Sequence, residues 1–122
     1  MRKFLLILIL VLVPVTALHA MTVTTFLQKA DALEKRGVTA MFSSDLRLLK
    51  GEIRTAAESL RNERLAAQRA GRRTAYCPPE RQGFNSDEIL AHFRSIPVAQ
   101  RGRMDVRDAL RGLLVRKFPC PA

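Results

Sequence analysis

The chain has 122 residues, with 21 Lys and Arg against 11 Asp and Glu, for a formal net charge of +10 and an isoelectric point near 11.0. That length leaves room for one domain, near the small end for burying a core unaided. Two cysteines permit a single intramolecular pairing, and the excess of positive charge points to anionic rather than cationic partners.

Residues 1–20 read as a secretory signal peptide. Arg2 and Lys3 form the charged start, Phe4 to Val13 is an unbroken apolar run, and Pro14 ends it. Ten apolar residues fall well short of the roughly 20 that span a bilayer, which favours cleavage over a retained signal anchor. Cleavage after Ala20 places Leu18 at the −3 position, and cleavage after Ala17 places Val15 there. No cysteine closely follows the apolar run, which argues against a lipoprotein anchor. The expected mature chain, residues 21–122, is one periplasmic domain with no further membrane span. Without Arg2 and Lys3 it keeps 19 basic against 11 acidic residues, a net +8.

Helical periodicity dominates this mature chain. Thr22 is placed to cap a first helix, in which Val23, Phe26, Leu27, Ala30 and Leu33 form one apolar stripe. Lys35 and Arg36 suit its last turn, and Gly37 its end. Val38 to Phe42 is short and apolar, compatible with one helical turn or with a packed connector. Ser43 or Ser44 then caps a helix of about 25 residues, some 40 Å long at 1.5 Å per residue. Its stripe is Leu46, Leu49, Ile53, Ala56, Leu60 and Ala67, interrupted by Gly51 and fading after Leu60. The last two turns are therefore expected to project or fray. The stripe holds fewer than three clean heptads, so packing within the chain is favoured over a coiled coil.

Arg72 to Gly83 reads as a loop. Asn85 and Glu88 then stand at the spacing of a capping box, flanked by Phe84 and Ile89 in the positions of a hydrophobic staple. That third helix carries Ile89, Leu90 and Phe93 inward and stops at Ile96-Pro97. Val98 to Arg103 is expected to turn. Asp105, with Asp108 three residues on, starts a last helix whose inward face is Val106, Ala109, Leu110, Leu113 and Leu114. Pro119 ends it. No segment alternates long enough to form a strand. The expectation is an all-α domain, four helices stapled by Cys77–Cys120. Closing that 43-residue loop is worth about 4 kcal/mol in the chain-entropy model, and export supplies the oxidising compartment the bond needs.

Residues suited to chemistry are sparse. His92 is the one histidine after residue 20, and both cysteines are accounted for as a pair, so no metal ligand set assembles from the sequence. Cys77 and Cys120 are not in a C-x-x-C arrangement, and no nucleophile elbow or phosphate-binding glycine loop is present. Asp87 and Glu88 point about 100° apart in a helical first turn, where acids are stabilising for other reasons. The chain reads as a binding protein without cofactor or metal rather than as an enzyme. Its candidate contact surface is Arg64, Arg69, Arg72 and Arg73, four cations in a stretch with no acid between Glu63 and Glu80. Solvated helix-end cations are the plainer account of that stretch. The export signal and the lack of a recognition module argue against nucleic acid as the partner.

The run Thr74-Ala75-Tyr76-Cys77-Pro78-Pro79, a helix with Leu90 and Phe93, then Ile96-Pro97, Val106, Ala109-Leu110 and Phe118-Pro119-Cys120 resembles the C-terminal part of the Rap/Tai family of immunity proteins. The resemblance spans about residues 74–120. It implies a small exported helical protein, associated with type VI secretion and often a homodimer. Such proteins neutralise a peptidoglycan-amidase toxin by protein–protein binding. It transfers the two cysteines as the disulfide and no toxin-contacting residue. The alternative expectation is an envelope binding or stress protein, chaperone-like, without a toxin partner.

Overall fold

A computed structural model describes residues 20–80 and 83–121. The signal peptide read in the sequence lies, apart from Ala20, outside the described residues. The elements are α1 (Val23–Arg36), a 3-10 turn (Gly37–Phe42), α2 (Ser44–Arg69), α3 (Ser86–Ser95), α4 (Val98–Arg101) and α5 (Val106–Lys117). Four long helices and the disulfide match the expected architecture. Val98–Arg103, expected as a turn, begins with the single helical turn α4 before turning at Gly102.

Helix starts lie where side-chain oxygens can satisfy the first free N–H groups. The Thr25 N–H donates to Thr22 Oγ1 at 3.2 Å. Ser43, not Ser44, caps α2, accepting from the Asp45 N–H at 3.1 Å. Asn85 and Glu88 form the full reciprocal box, at 2.9 and 3.1 Å, and Asp105 accepts from the Asp108 N–H at 2.7 Å.

α5 is the strut of the fold. It packs against α1, α2 and α3, most extensively against α2, and each of its ends is tied by a two-residue antiparallel bridge. At its start Thr22 pairs with Asp105. There the Val23 N–H donates to the Met104 carbonyl and the Val106 N–H to the Met21 carbonyl, both at 2.9 Å. At its finish Tyr76 pairs with Pro119, and the Cys77 N–H donates to the Phe118 carbonyl at 2.8 Å. The Cys77–Cys120 bond locks this second end, with the two Cα atoms 4.9 Å apart.

Phe93, Leu60, Leu110, Val23 and Val106 are the largest fully buried side chains, one or two from each long helix. Phe26 meets the Phe93 ring edge-on, with centroids 5.2 Å apart. Ion pairs across the surface join the helices two by two: Lys29–Asp45 (α1 to α2), Arg94 with Asp31 and Glu34 (α3 to α1), Arg111–Glu63 (α5 to α2) and Lys117–Glu88 (α5 to α3). Each is exposed enough to be worth at most about 1 kcal/mol.

The end of α2 neither frays nor loses its packing, contrary to the expectation drawn from its fading stripe. Leu60 and Ala67 are buried, and the helix closes in a Schellman arrangement. The Arg72 N–H reaches the Ala67 carbonyl at 2.8 Å and the Gly71 N–H reaches Gln68 at 3.1 Å, with Gly71 at φ 67°. The sequence misled because part of what covers this end lies outside α2, in the loop that returns from it. Gly51, by contrast, has ordinary helical geometry and open space where a Cβ would stand. Gly51→Ala is expected to raise the unfolding free energy by about 1 kcal/mol, read as a higher urea midpoint at unchanged slope.

Candidate functional site

α2 lays its apolar stripe inward and a basic stripe beside it. Lys50, Arg54, Arg61 and Arg64 follow one another at steps of four, seven and three residues, with Ala57 between and Gln68 beyond, so they share one helix face. That face borders two adjoining clefts. The first, about 470 Å³, lies among α1, α2 and α3 and has Leu33, Leu46, Leu49 and Leu90 in its floor, with Lys50 and Arg54 at its rim. The second, about 610 Å³, lies between the later half of α2 and the returning loop, with Leu65, Tyr76, Pro78 and Pro79 among its walls and Arg61 and Arg64 on the α2 side. Ile53, Phe84 and Ile89 line both. The result is one apolar groove along α2, divided by the Phe84 ring. Leu46, Ile53 and Leu90 are only half-buried because they face this groove.

The groove exists because α3 leans on α1 and α5 and not on α2. The hydrophobic staple fills part of the gap. Phe84 stacks obliquely on Phe118 with centroids 5.8 Å apart, and the Lys117 ammonium lies over both rings, 5.0 and 5.5 Å from their centroids. Tyr76 fixes the far wall. It is buried, and its hydroxyl donates to the Leu60 carbonyl in the middle of α2 at 2.9 Å. Burial pushes its pKa up; the Glu63 carboxylate adds to the rise, while Arg111 and Arg64 oppose it.

The rim is electrically unbalanced. Among the described residues Lys50, Arg54, Arg61 and Arg64 make no ion pair; of the two acids that line the clefts, Glu34 is taken by Arg94 at 2.9 Å, and Glu80, exposed on the returning loop, is the single carboxylate left facing the four cations. Arg64 Nε is buried and finds no hydrogen-bond acceptor among the described residues. A buried guanidinium donor without an acceptor is costly. The groove can therefore hold apolar side chains on its floor and carboxylates along its α2 edge.

Of the four arginines singled out in the sequence, Arg64 alone lines the groove. Arg69 comes five residues later, about 140° further around the helix, and Arg69, Arg72 and Arg73 are exposed outside both clefts. Sequence reasoning missed Lys50, Arg54 and Arg61. Their three- and four-residue spacing beside the apolar stripe was a usable signal, hidden because acids at Glu52, Glu58 and Glu63 interrupt it in linear order.

The remaining titratable candidates have structural work. Glu88 is held below the usual carboxylate range by its hydrogen bond from Lys117 and then by that from the Asn85 N–H. His92 is half-buried against the Phe93 edge, and a Cβ on Gly112 would stand 3.3 Å from its Nε2. Burial, and next the Arg116 charge, hold the imidazole below its ordinary pKa. Among the described residues no three His, Cys, Asp or Glu side chains gather as a metal site, and no helix is long and apolar enough to cross a membrane.

In comparisons with known proteins, no family model, no curated protein and no solved structure matches this chain.

Proposed function

We propose that this chain is a periplasmic binding protein of the immunity type, which neutralises a peptidoglycan amidase by protein–protein contact. The observation that carries the binding reading is the apolar groove along α2, whose cationic edge makes no ion pair among the described residues. Four basic groups beside an apolar floor suit a segment of a partner that presents carboxylates next to apolar side chains. The amidase as the partner's class rests on the resemblance of residues 74–120 to the Rap/Tai family, and export rests on the leader sequence; the disulfide is consistent with an oxidising compartment.

The test uses the oxidised full-length mature chain and secreted amidases from the same cell. Stoichiometric inhibition of one amidase is expected. Reversing Arg54, Arg61 and Arg64 to Glu is expected to weaken that inhibition on the order of 100-fold, because it replaces attraction by repulsion along a partly desolvated edge. Circular dichroism and the thermal midpoint of the variant check that it remains folded. Full inhibition by the folded triple variant would remove the groove from the interface. Failure to inhibit or bind any such amidase would remove the immunity reading.

A further inference from the structure

The Gly37–Phe42 turn gathers three of the four most exposed large apolar side chains on the described surface, Val38 at 81%, Met41 at 72% and Phe42 at 87%; the fourth, Val98 at 75%, stands alone on α4. The sequence allowed one helical turn or a packed connector. The segment is a 3-10 helix, but its apolar side chains are not what packs. A repeat of three residues per turn stacks Val38 over Met41, and the smaller Ala40 is the residue that turns inward against the core.

This turn is held firmly at its base. Gly37 adopts φ 61°, a region that favours glycine. Thr39 Oγ1 donates to the Arg36 carbonyl at 2.9 Å, and the Ser43 N–H donates to the Ala40 carbonyl at 3.0 Å. Arg36 donates to the buried Ser43 hydroxyl at 3.3 Å. The three apolar side chains are thus presented on an ordered knuckle. They line none of the clefts described above, so the feature is convex.

Charge decides between the surfaces that could cover it. Lys35 and Arg36 precede the knuckle, and Arg47 and Lys50 follow it, all exposed. Asp45 is the one acid between residues 35 and 50, and Lys29 neutralises it at 3.3 Å; Glu34 is committed to Arg94. A second copy docking knuckle to knuckle would bring these cations against themselves. An anionic bilayer offers what the patch lacks: phosphates for the cations and a deformable apolar layer for a protruding phenylalanine and methionine. We infer that the Gly37–Phe42 turn is a membrane-surface anchor, inserting Val38, Met41 and Phe42 at the headgroup boundary of an anionic bilayer while Lys35, Arg36 and Arg47 engage lipid phosphates.

The chain has no tryptophan, so Phe42→Trp supplies a unique reporter at the tip. With phosphatidylcholine vesicles containing phosphatidylglycerol, the emission of this oxidised full-length mature variant is expected to shift to the blue and to be quenched by bromine on the upper acyl carbons. Sedimentation should show vesicle binding that weakens with added salt. Replacing Val38, Met41 and Phe42 by Ser is expected to lower the partition coefficient about tenfold or more. Reversing Lys35 and Arg47 to Glu is expected to lower it about 25-fold, at roughly fivefold per basic residue. The side chains of Val38, Met41, Phe42, Lys35 and Arg47 are all exposed, so these variants should stay close to the wild-type thermal midpoint. Unshifted emission on anionic vesicles would overturn the inference, as would unchanged binding by the serine variant. So would a concentration-dependent dimer, or capture of an acidic protein, that buries the reporter in place of lipid.

Discussion

Reducing the Cys77–Cys120 bond, or replacing Cys120 by Ser, is expected to lower the unfolding free energy by about 4 kcal/mol, the chain-entropy value for a loop closed over 43 residues. Against a total of roughly 5–15 kcal/mol for an ordinary domain, that loss would leave the protein marginal. Urea unfolding with and without reductant measures it. The effect should reach the groove before the rest of the fold. The disulfide holds the loop that supplies Tyr76, Pro78 and Pro79 to the groove wall, and without it that wall rests on the Tyr76 hydroxyl bond to Leu60 and the Cys77 to Phe118 backbone bond. Partner binding should therefore weaken in reductant at urea concentrations where the helical circular dichroism is still native. Unchanged stability after verified reduction would mean that the backbone bridge alone closes this end of α5.

Phe93→Ala is expected to cost about 3–5 kcal/mol. Phe93 is fully buried, and its ring sits edge-on to Phe26, joining α3 to α1. Its removal leaves a cavity between α3 and α1, and α3 can relax by sinking into it. That movement would draw Ile89 and Leu90 with it and reshape the groove. Chemical denaturation gives the stability loss, and the groove variants' binding assay gives the change in affinity. A loss below about 1 kcal/mol would indicate that neighbouring side chains refill the site.

Much of the secondary structure was legible one turn at a time. Thr22, the Asn85–Glu88 box and the Asp105–Asp108 pair mark helix starts because a cap is satisfied within three residues. Gly37 marks a stop through its backbone conformation. The apolar stripes of α1 and α5 are buried at each expected position. The cysteine pair was legible for a different reason: two cysteines leave one pairing.

The candidate site was less legible. Arg64 was singled out for charge density, yet Arg69, Arg72 and Arg73 share its stretch of chain and not its helix face. Lys50, Arg54 and Arg61 share its face and were passed over. Tyr76 gave no sign that its hydroxyl would reach Leu60, sixteen residues back. Val38 to Phe42 was open between one helical turn and a packed connector; it is a 3-10 turn whose Val38, Met41 and Phe42 stand in solvent.

Local chemistry in the chain was sufficient to specify the helices, their caps and the covalent clasp, because those depend on hydrogen bonds and side-chain spacing within about one turn or on a pairing with no rival. Which apolar faces would remain uncovered depended on packing across the domain. α3 settles on α1 and α5 and leaves α2 a groove, and Ala40 takes the inward place that three larger neighbours could have claimed. Burial is decided by the competition of all faces for one small core, and that competition has no counterpart within any single stretch of sequence.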